Sequence, residues 1–346
     1  IDEGLVGSEM CIRDRFMKTQ LIHTNGINIR AQIEGSGPLV ILVHGCPESW
    51  YSWRKQIDVL AKAGYTVVAI DVRGYGGSDK PHDVSEYSLK KIAADIVGII
   101  NELNFETAIL IGRDWGGPIV WHTALLHEDK ITAVAGLSVP YFRRLEVTPI
   151  ELFKQIYKDR FFYQIYFQEE GVAEHEFEAD IRKYLEITYF SADYRGMSDM
   201  KNGAFSTMNS KSPESGFLDG IHRYEEYPDW ITEEEMNYLV GEFEHSGLRG
   251  PLNRYRNYDL DFKEMEHLAG KKIQQPAAFL AGSHDPVNFF VLPKGYKDSN
   301  DLRANIEPQY ENLMDVCLLE KAGHWVQEEK PNEVNDFLIK FLENIQ

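Results

Sequence analysis

Short apolar runs punctuate this chain at intervals that decide its fold class. "PLVILVHG" (38–45), "YTVVAID" (65–71), "TAILIG" (107–112) and "ITAVAGLSV" (131–139) are separated by helical patterns at roughly 49–63, 88–103 and 116–127. Runs this short read as strands buried on both faces. Strands that alternate with helices imply parallel βαβ units and an α/β sheet. Ser88 is placed to cap the second helix. The alternation stops near Tyr141. From there to Tyr258 the chain is helical in flavour, aromatic and acidic, with a capping-box pattern at Thr232 and Glu235. It resumes with "PAAFLAGSHD" (276–285) and "VCLLEKAGH" (316–324) and closes on a helix near 334–344. The reading is an α/β domain interrupted by a helical insert, most economically a lid over one edge of the sheet.

Composition narrows the partners. A formal charge of -19 on 346 residues makes nucleic acid and anionic membrane surfaces poor partners, because both need basic patches. No apolar run reaches the length that crosses a bilayer. Cys11, Cys46 and Cys317 are odd in number and far apart, which suits a reducing compartment rather than a disulfide framework. Residues 1–16, "IDEGLVGSEMCIRDRF", show neither helical nor strand period and no secretory pattern. They read as a non-native or disordered leader. Met17 opens "MKTQLIHTNGINIRAQIEG", a hairpin around Asn25-Gly26.

The chemistry sits on "LIGRDWGG" (110–117). Here an apolar strand meets a helix, and Gly112 and Gly116 flank Asp114 at two before and two after. That spacing marks a nucleophile elbow, a tight turn that thrusts its central side chain above the sheet. The seat is usually serine's. A carboxylate instead displaces a leaving group at saturated carbon and forms an ester with the enzyme, which points to an epoxide or an alkyl halide. An Asp that merely caps the following helix is the plainer reading, and the flanking context disfavours it. Asp285, in "GSHDPV", and His324, in "KAGHWVQEEKP", follow the last two apolar runs. The chain order Asp114, Asp285, His324 is nucleophile, acid, base. Asp285 would accept from one ring nitrogen and leave the other to draw a proton from water. The amides of Cys46, in "HGCPESWYSWR", and of Trp115 are the natural oxyanion pair by analogy with two-amide holes of such hydrolases. His44 reads as a brace for that loop.

Taken together, "HGCP", "GRDWGG", "FFYQIYFQEEGVAE", "RGPLNRYRN", "GSHDP" and "GHW" resemble the α/β-hydrolase-fold epoxide hydrolases of the soluble type, over nearly everything after Met17. The resemblance implies a mostly parallel eight-stranded sheet flanked by helices, with a core at 17–140 and 259–346 and a helical lid at 141–258. It implies an enzyme that opens small-molecule epoxides with water, without cofactor or metal, as a cytoplasmic monomer or homodimer. Two lid tyrosines would polarise the epoxide oxygen. The match places the first on Tyr163, beside Gln164 at the substrate, and the second on Tyr255. By residue type alone Tyr166 competes with Tyr163. The Trp115 ring would line the substrate pocket.

Haloalkane dehalogenase is the alternative within the fold. It shares the Asp-Trp pair, but its second halide donor is often an Asn where this chain has Cys46, and Trp230 looks like packing. A lapsed hydrolase serving as a binding module would have lost a catalytic residue, and none is lost. One departure stands out: the residue before the nucleophile is usually His in these relatives, and here it is Arg113. A cation there would favour the Asp114 carboxylate, or it would turn away and pair with an acidic neighbour. A chain beginning at Met17 is expected to melt and to turn over as the full chain does. A large loss in either thermal denaturation or steady-state rate would refute the reading of the leader.

Overall fold

The computed structural model describes residues 19–199, 210–291 and 294–345. The expected leader, and Cys11 within it, lie outside these. Strands β1 (Thr19–Thr24) and β2 (Ile27–Gly35) form the expected hairpin, closed by Asn25 and Gly26 at φ of 48° and 78°. Positive φ at both turn residues matches the right-handed twist of the flanking strands.

Six further strands complete one sheet: β3 (Leu39–Val43), β4 (Thr66–Ile70), β5 (Ala108–Arg113), β6 (Ile131–Leu137), β7 (Ala277–Gly282) and β8 (Leu313–Leu319). The spatial order is β1-β2-β4-β3-β5-β6-β7-β8. β1 and β2 run antiparallel, as do β2 and β4, and the other neighbours are parallel. Every residue of β3, β5 and β7 is buried, which is why these strands read as continuous apolar runs. β8 lies at the edge and is only half-buried, and it starts three residues before the apolar run that announced it.

Helices α1 (Arg54–Lys62), α2 (Leu89–Glu102) and α3 (Gly116–Leu126) follow β3, β4 and β5. The Ser88 hydroxyl accepts from the Lys91 amide and caps α2 as expected. Between β6 and β7 the chain is helical: α4 (Pro149–Ile156), α5 (Tyr163–Tyr166), α6 (Val172–Glu178), α7 (Ile181–Ala192), α8 (Tyr194–Ser198), α9 (Glu233–Ser246), α10 (Arg249–Tyr255) and α11 (Tyr258–Glu264). Thr232 and Glu235 close the capping box at the start of α9. The chain ends on α12 (Pro286–Val291), α13 (Ser299–Ile306), α14 (Val326–Glu329) and α15 (Pro331–Asn344). Against the sheet, α2 packs with α3 and α1 packs with α15. No helix among the described residues is long and apolar enough to cross a membrane.

The β5–α3 junction is packed backbone against backbone. A Cβ on Gly112 would stand 2.1 Å from the Gly116 carbonyl oxygen, and one on Gly116 would stand 2.0 Å from the Val43 carbonyl oxygen. Only glycine lets α3 start this close to β3 and β5. Backbone cannot yield as a side chain does, so Gly116→Ala is expected to lower stability by about 1–3 kcal/mol in urea unfolding. It should also displace the turn that carries Asp114 and slow turnover. A variant as stable and as fast as the parent would contradict this packing.

Candidate active site

The carboxyl ends of neighbouring parallel strands deliver the site in spatial order. Cys46 follows β3, Asp114 follows β5, Ser138 follows β6, Asp285 follows β7 and His324 follows β8. Crevices at the carboxyl ends of strands are where open α/β sheets bind ligands. Asp114 is held at φ 49°, a left-handed conformation uncommon for a side chain other than glycine. Its amide donates to the Leu137 carbonyl at 3.1 Å and its own carbonyl accepts from Gly117 at 2.8 Å, so both arms of the turn are tied down.

Two groups reach the carboxylate, and Asp285 holds one of them from behind. The Cys46 amide donates to Asp114 Oδ1 at 2.8 Å. His324 Nε2 lies 3.4 Å from Asp114 Oδ2. His324 Nδ1 lies 2.9 Å from Asp285 Oδ1, and the ring is almost wholly buried. Burial opposes ionisation of Asp114, but the His324 ring, the Arg113 guanidinium and the Cys46 amide outweigh it and hold the carboxyl below its ordinary range. For His324, burial and the Arg113 cation oppose protonation. The Asp285 and Asp114 carboxylates win and carry the imidazole up to about 9. Asp114 and His324 therefore form an ion pair at neutral pH.

The helical insertion supplies the facing side. The Tyr163 and Tyr255 rings stand 6.1 Å apart near Asp114, and Tyr255 makes an edge contact with the Trp115 ring at 5.0 Å. Burial, with Asp114 nearby, pushes both phenols upward, so they keep their protons at neutral pH. Gln164 Nε2 donates to the Tyr163 oxygen at 2.7 Å, and the Gln164 carbonyl accepts from the Tyr258 hydroxyl at 2.7 Å. Because the Tyr163 oxygen is already an acceptor, its own proton is left to donate. Tyr166 instead donates to Glu176 at 2.8 Å and lines neither cavity, which separates it from Tyr163. Trp230 donates to Asp193 at 3.2 Å and likewise lines neither. His44 braces its loop as expected: its Nε2 accepts from the Val72 amide at 3.1 Å, leaving Nδ1 to donate to the Gly45 carbonyl at 2.7 Å.

Two cavities, about 460 and 390 Å³, share Asp114, Tyr163 and Tyr255 in their walls. The larger runs past Trp115, Trp121 and His122; the smaller runs past Cys46, Tyr184 and His324. Burial pushes the Cys46 thiol up to about 12, so the thiol keeps its proton at neutral pH. Sequence reasoning missed Ser138, whose hydroxyl lies 3.0 Å from His324 Nδ1, Tyr258, which lines the larger cavity, and Glu48, which lies 2.9 Å from Arg113. Tyr258 lies three residues past Tyr255, a spacing that carries some signal; Ser138 and Glu48 have none.

Known proteins share this fold. The family model for the alpha/beta hydrolase fold matches residues 38–331. Epoxide hydrolase A of Mycobacterium tuberculosis is 39% identical over 94% of this chain and 98% of that protein. Bifunctional epoxide hydrolase 2 of Rattus norvegicus is 37% identical over 92% of this chain but only 54% of that protein, so the chain spans about half of it. The crystal structure of Epoxide Hydrolase A from Mycobacterium thermoresistibile has a TM-score of 0.86 at 40% identity, covering 95% of this chain and 98% of that one. The chain belongs to the α/β-hydrolase family and, within it, to the epoxide hydrolases.

The Asp114 charge is one of the forces that hold the proton on His324. In Asp114→Asn the imidazole is expected to titrate below the parent's value of about 9, as read by NMR. A raised histidine pKa contributes stability that is complete below the unfolded value, about 6.5, and is lost as pH rises through the folded one. The fall of Tm across that window should therefore be shallower in the variant. An unmoved titration would show that Asp114 does not govern His324.

Proposed function

We propose that this chain hydrolyses epoxides to vicinal diols through an ester on Asp114. The observation that carries the reading is the carboxylate itself. It is ionised, paired with His324, and shares one cavity wall with two protonated phenols. In the first half-reaction an Asp114 oxygen attacks an epoxide carbon, the carbon–oxygen bond breaks, and the departing alkoxide takes a proton from the Tyr163–Tyr255 pair, which is restored from solvent. The helical insertion serves here as a lid whose tyrosines face the nucleophile.

Esterification removes the negative charge on Asp114. The His324 pKa then falls and its proton leaves to solvent, so the imidazole becomes a base only once there is an ester to hydrolyse. With Asp285 holding Nδ1, Nε2 takes a proton from water and the resulting hydroxide attacks the ester carbonyl carbon. The amides of Cys46 and Trp115 receive the oxyanion. Collapse releases the diol as His324 returns the proton to it; Asp114, left as the acid with one oxygen from water, passes its proton to His324 and restores the ion pair. Cavities on both sides of Asp114 leave room for a substituent at either epoxide carbon.

The test uses His324→Gln mixed with styrene oxide. Mass spectrometry should find the substrate mass accumulating on the peptide that contains Asp114. A single turnover of the parent in oxygen-18 water should label Asp114 and leave the first diol unlabelled; label in that diol would mean that water attacks the epoxide directly. Changing Tyr163 and Tyr255 together to Phe should slow ester formation roughly 100- to 10,000-fold, the range of general acid catalysis. Chloride or bromide released from haloalkanes faster than diol forms would favour the dehalogenase reading.

A further inference from the structure

Arg113, the departure noted beside the nucleophile, does not face the substrate cavities. It is fully buried, with Nη1 2.9 Å from Glu48 Oε2, and Glu48 is fully buried too. The other end of the fork, Nη2, donates to the His324 carbonyl at 2.5 Å, and the guanidinium lies 4.2 Å over the Trp325 ring. Glu48 reaches in two further directions. Its Oε2 accepts from the Gly45 amide at 2.6 Å, and its Oε1 accepts from Gln327 Nε2 at 2.9 Å. One ion pair thus ties together the Asp114 turn, the loop that carries the Cys46 amide, and the loop that carries His324. A buried pair is poor value as a stabiliser, because desolvation offsets its attraction. What it does supply is fixed geometry: one arm of the planar guanidinium donates to the His324 carbonyl while the other stands in the ion pair with Glu48.

We infer that Arg113 and Glu48 are positioning residues for hydrolysis of the Asp114 ester, setting the His324 ring and the Cys46 amide in register with the ester carbonyl. The inference rests on the ester mechanism proposed above. The first half-reaction needs an ionised Asp114 and the lid tyrosines: His324 acts on the Asp114 charge ahead of Arg113, and the pair touches neither phenol. The second needs the base and the oxyanion amide, whose loops the pair holds.

Ester formation and ester hydrolysis are to be timed separately on styrene oxide by rapid mixing, acid quench and mass spectrometry of the intact chain. His324→Gln serves as the control that the ester exists; failure of that control would count against the mechanism, not against the pair. In Arg113→Met and in Glu48→Gln, hydrolysis should slow roughly tenfold to a hundredfold, as expected when a catalytic group is misplaced by about 1 Å. Ester formation should change by less than about threefold, so the ester accumulates. Arg113→Lys keeps the charge without the fork and should recover part of the rate. The double variant Arg113→Met with Glu48→Leu leaves no lone buried charge and keeps the test readable where a single variant unfolds. A pair that only stabilised the fold would lower Tm and slow both steps in parallel, or neither. That result in the folded variants overturns the inference.

Discussion

Everything at this site depends on one turn being held in a conformation its central residue dislikes. Asp114 sits at φ 49° because β5 must end and α3 must begin within two residues, directly against the loop that follows β3. That crowding is possible only because Gly45, Gly112 and Gly116 carry no side chain; a Cβ on Gly45 would stand 2.4 Å from the Cβ of Asp114 itself. Left-handed backbone at a non-glycine residue costs of order 1–3 kcal/mol and persists where surrounding structure over-determines it. Here the Leu137 and Gly117 hydrogen bonds and two buried strands do so. The result is a carboxylate raised above the sheet with the Cys46 amide already pointed at it.

Around that carboxylate, opposing electrostatic effects are set close to balance. Burial alone would neutralise both Asp114 and His324, yet Asp285 and Asp114 together reverse the outcome for His324, and His324, Arg113 and the Cys46 amide reverse it for Asp114. Such a pair is sensitive to the charge of either member. In the proposed mechanism this is useful, because the nucleophile's own reaction converts its partner from imidazolium to base. No separate switch is needed.

The helical insertion and the sheet each carry half of the site. The sheet edge supplies the charged groups, and the insertion supplies phenols and aromatic walls. The two halves are bolted together at the base loop. The Trp325 ring stacks on Tyr189 of α7 at 4.0 Å and donates to its carbonyl at 2.7 Å, while the Tyr189 hydroxyl donates to the Pro47 carbonyl at 2.8 Å. The His324 amide adds a bond to the Ala192 carbonyl at 2.8 Å. A shift of α7 would therefore be felt at both the base loop and the Cys46 loop.

The sequence by itself determined the strand–helix alternation, the interruption after β6, and the turn around Asp114. These are local in origin: buried parallel strands demand unbroken apolar runs, and a turn this tight demands glycine at fixed offsets. The order of Asp114, Asp285 and His324 along the chain was legible for the same reason, since each follows a strand that could be read. Tertiary structure decided what those residues touch. Tyr163 and Tyr166 are equivalent by residue type, and only packing of the insertion sends one toward Asp114 and the other to Glu176. Arg113 could have faced the nucleophile or turned from it; the acid that settles the matter, Glu48, lies 65 residues earlier, on the loop after the neighbouring strand β3. Ser138 reaches His324 from 186 positions away. Contacts at such separations follow from strand order and from which backbone carbonyls and carboxylates are left to satisfy in the interior, and neither is written in any local pattern.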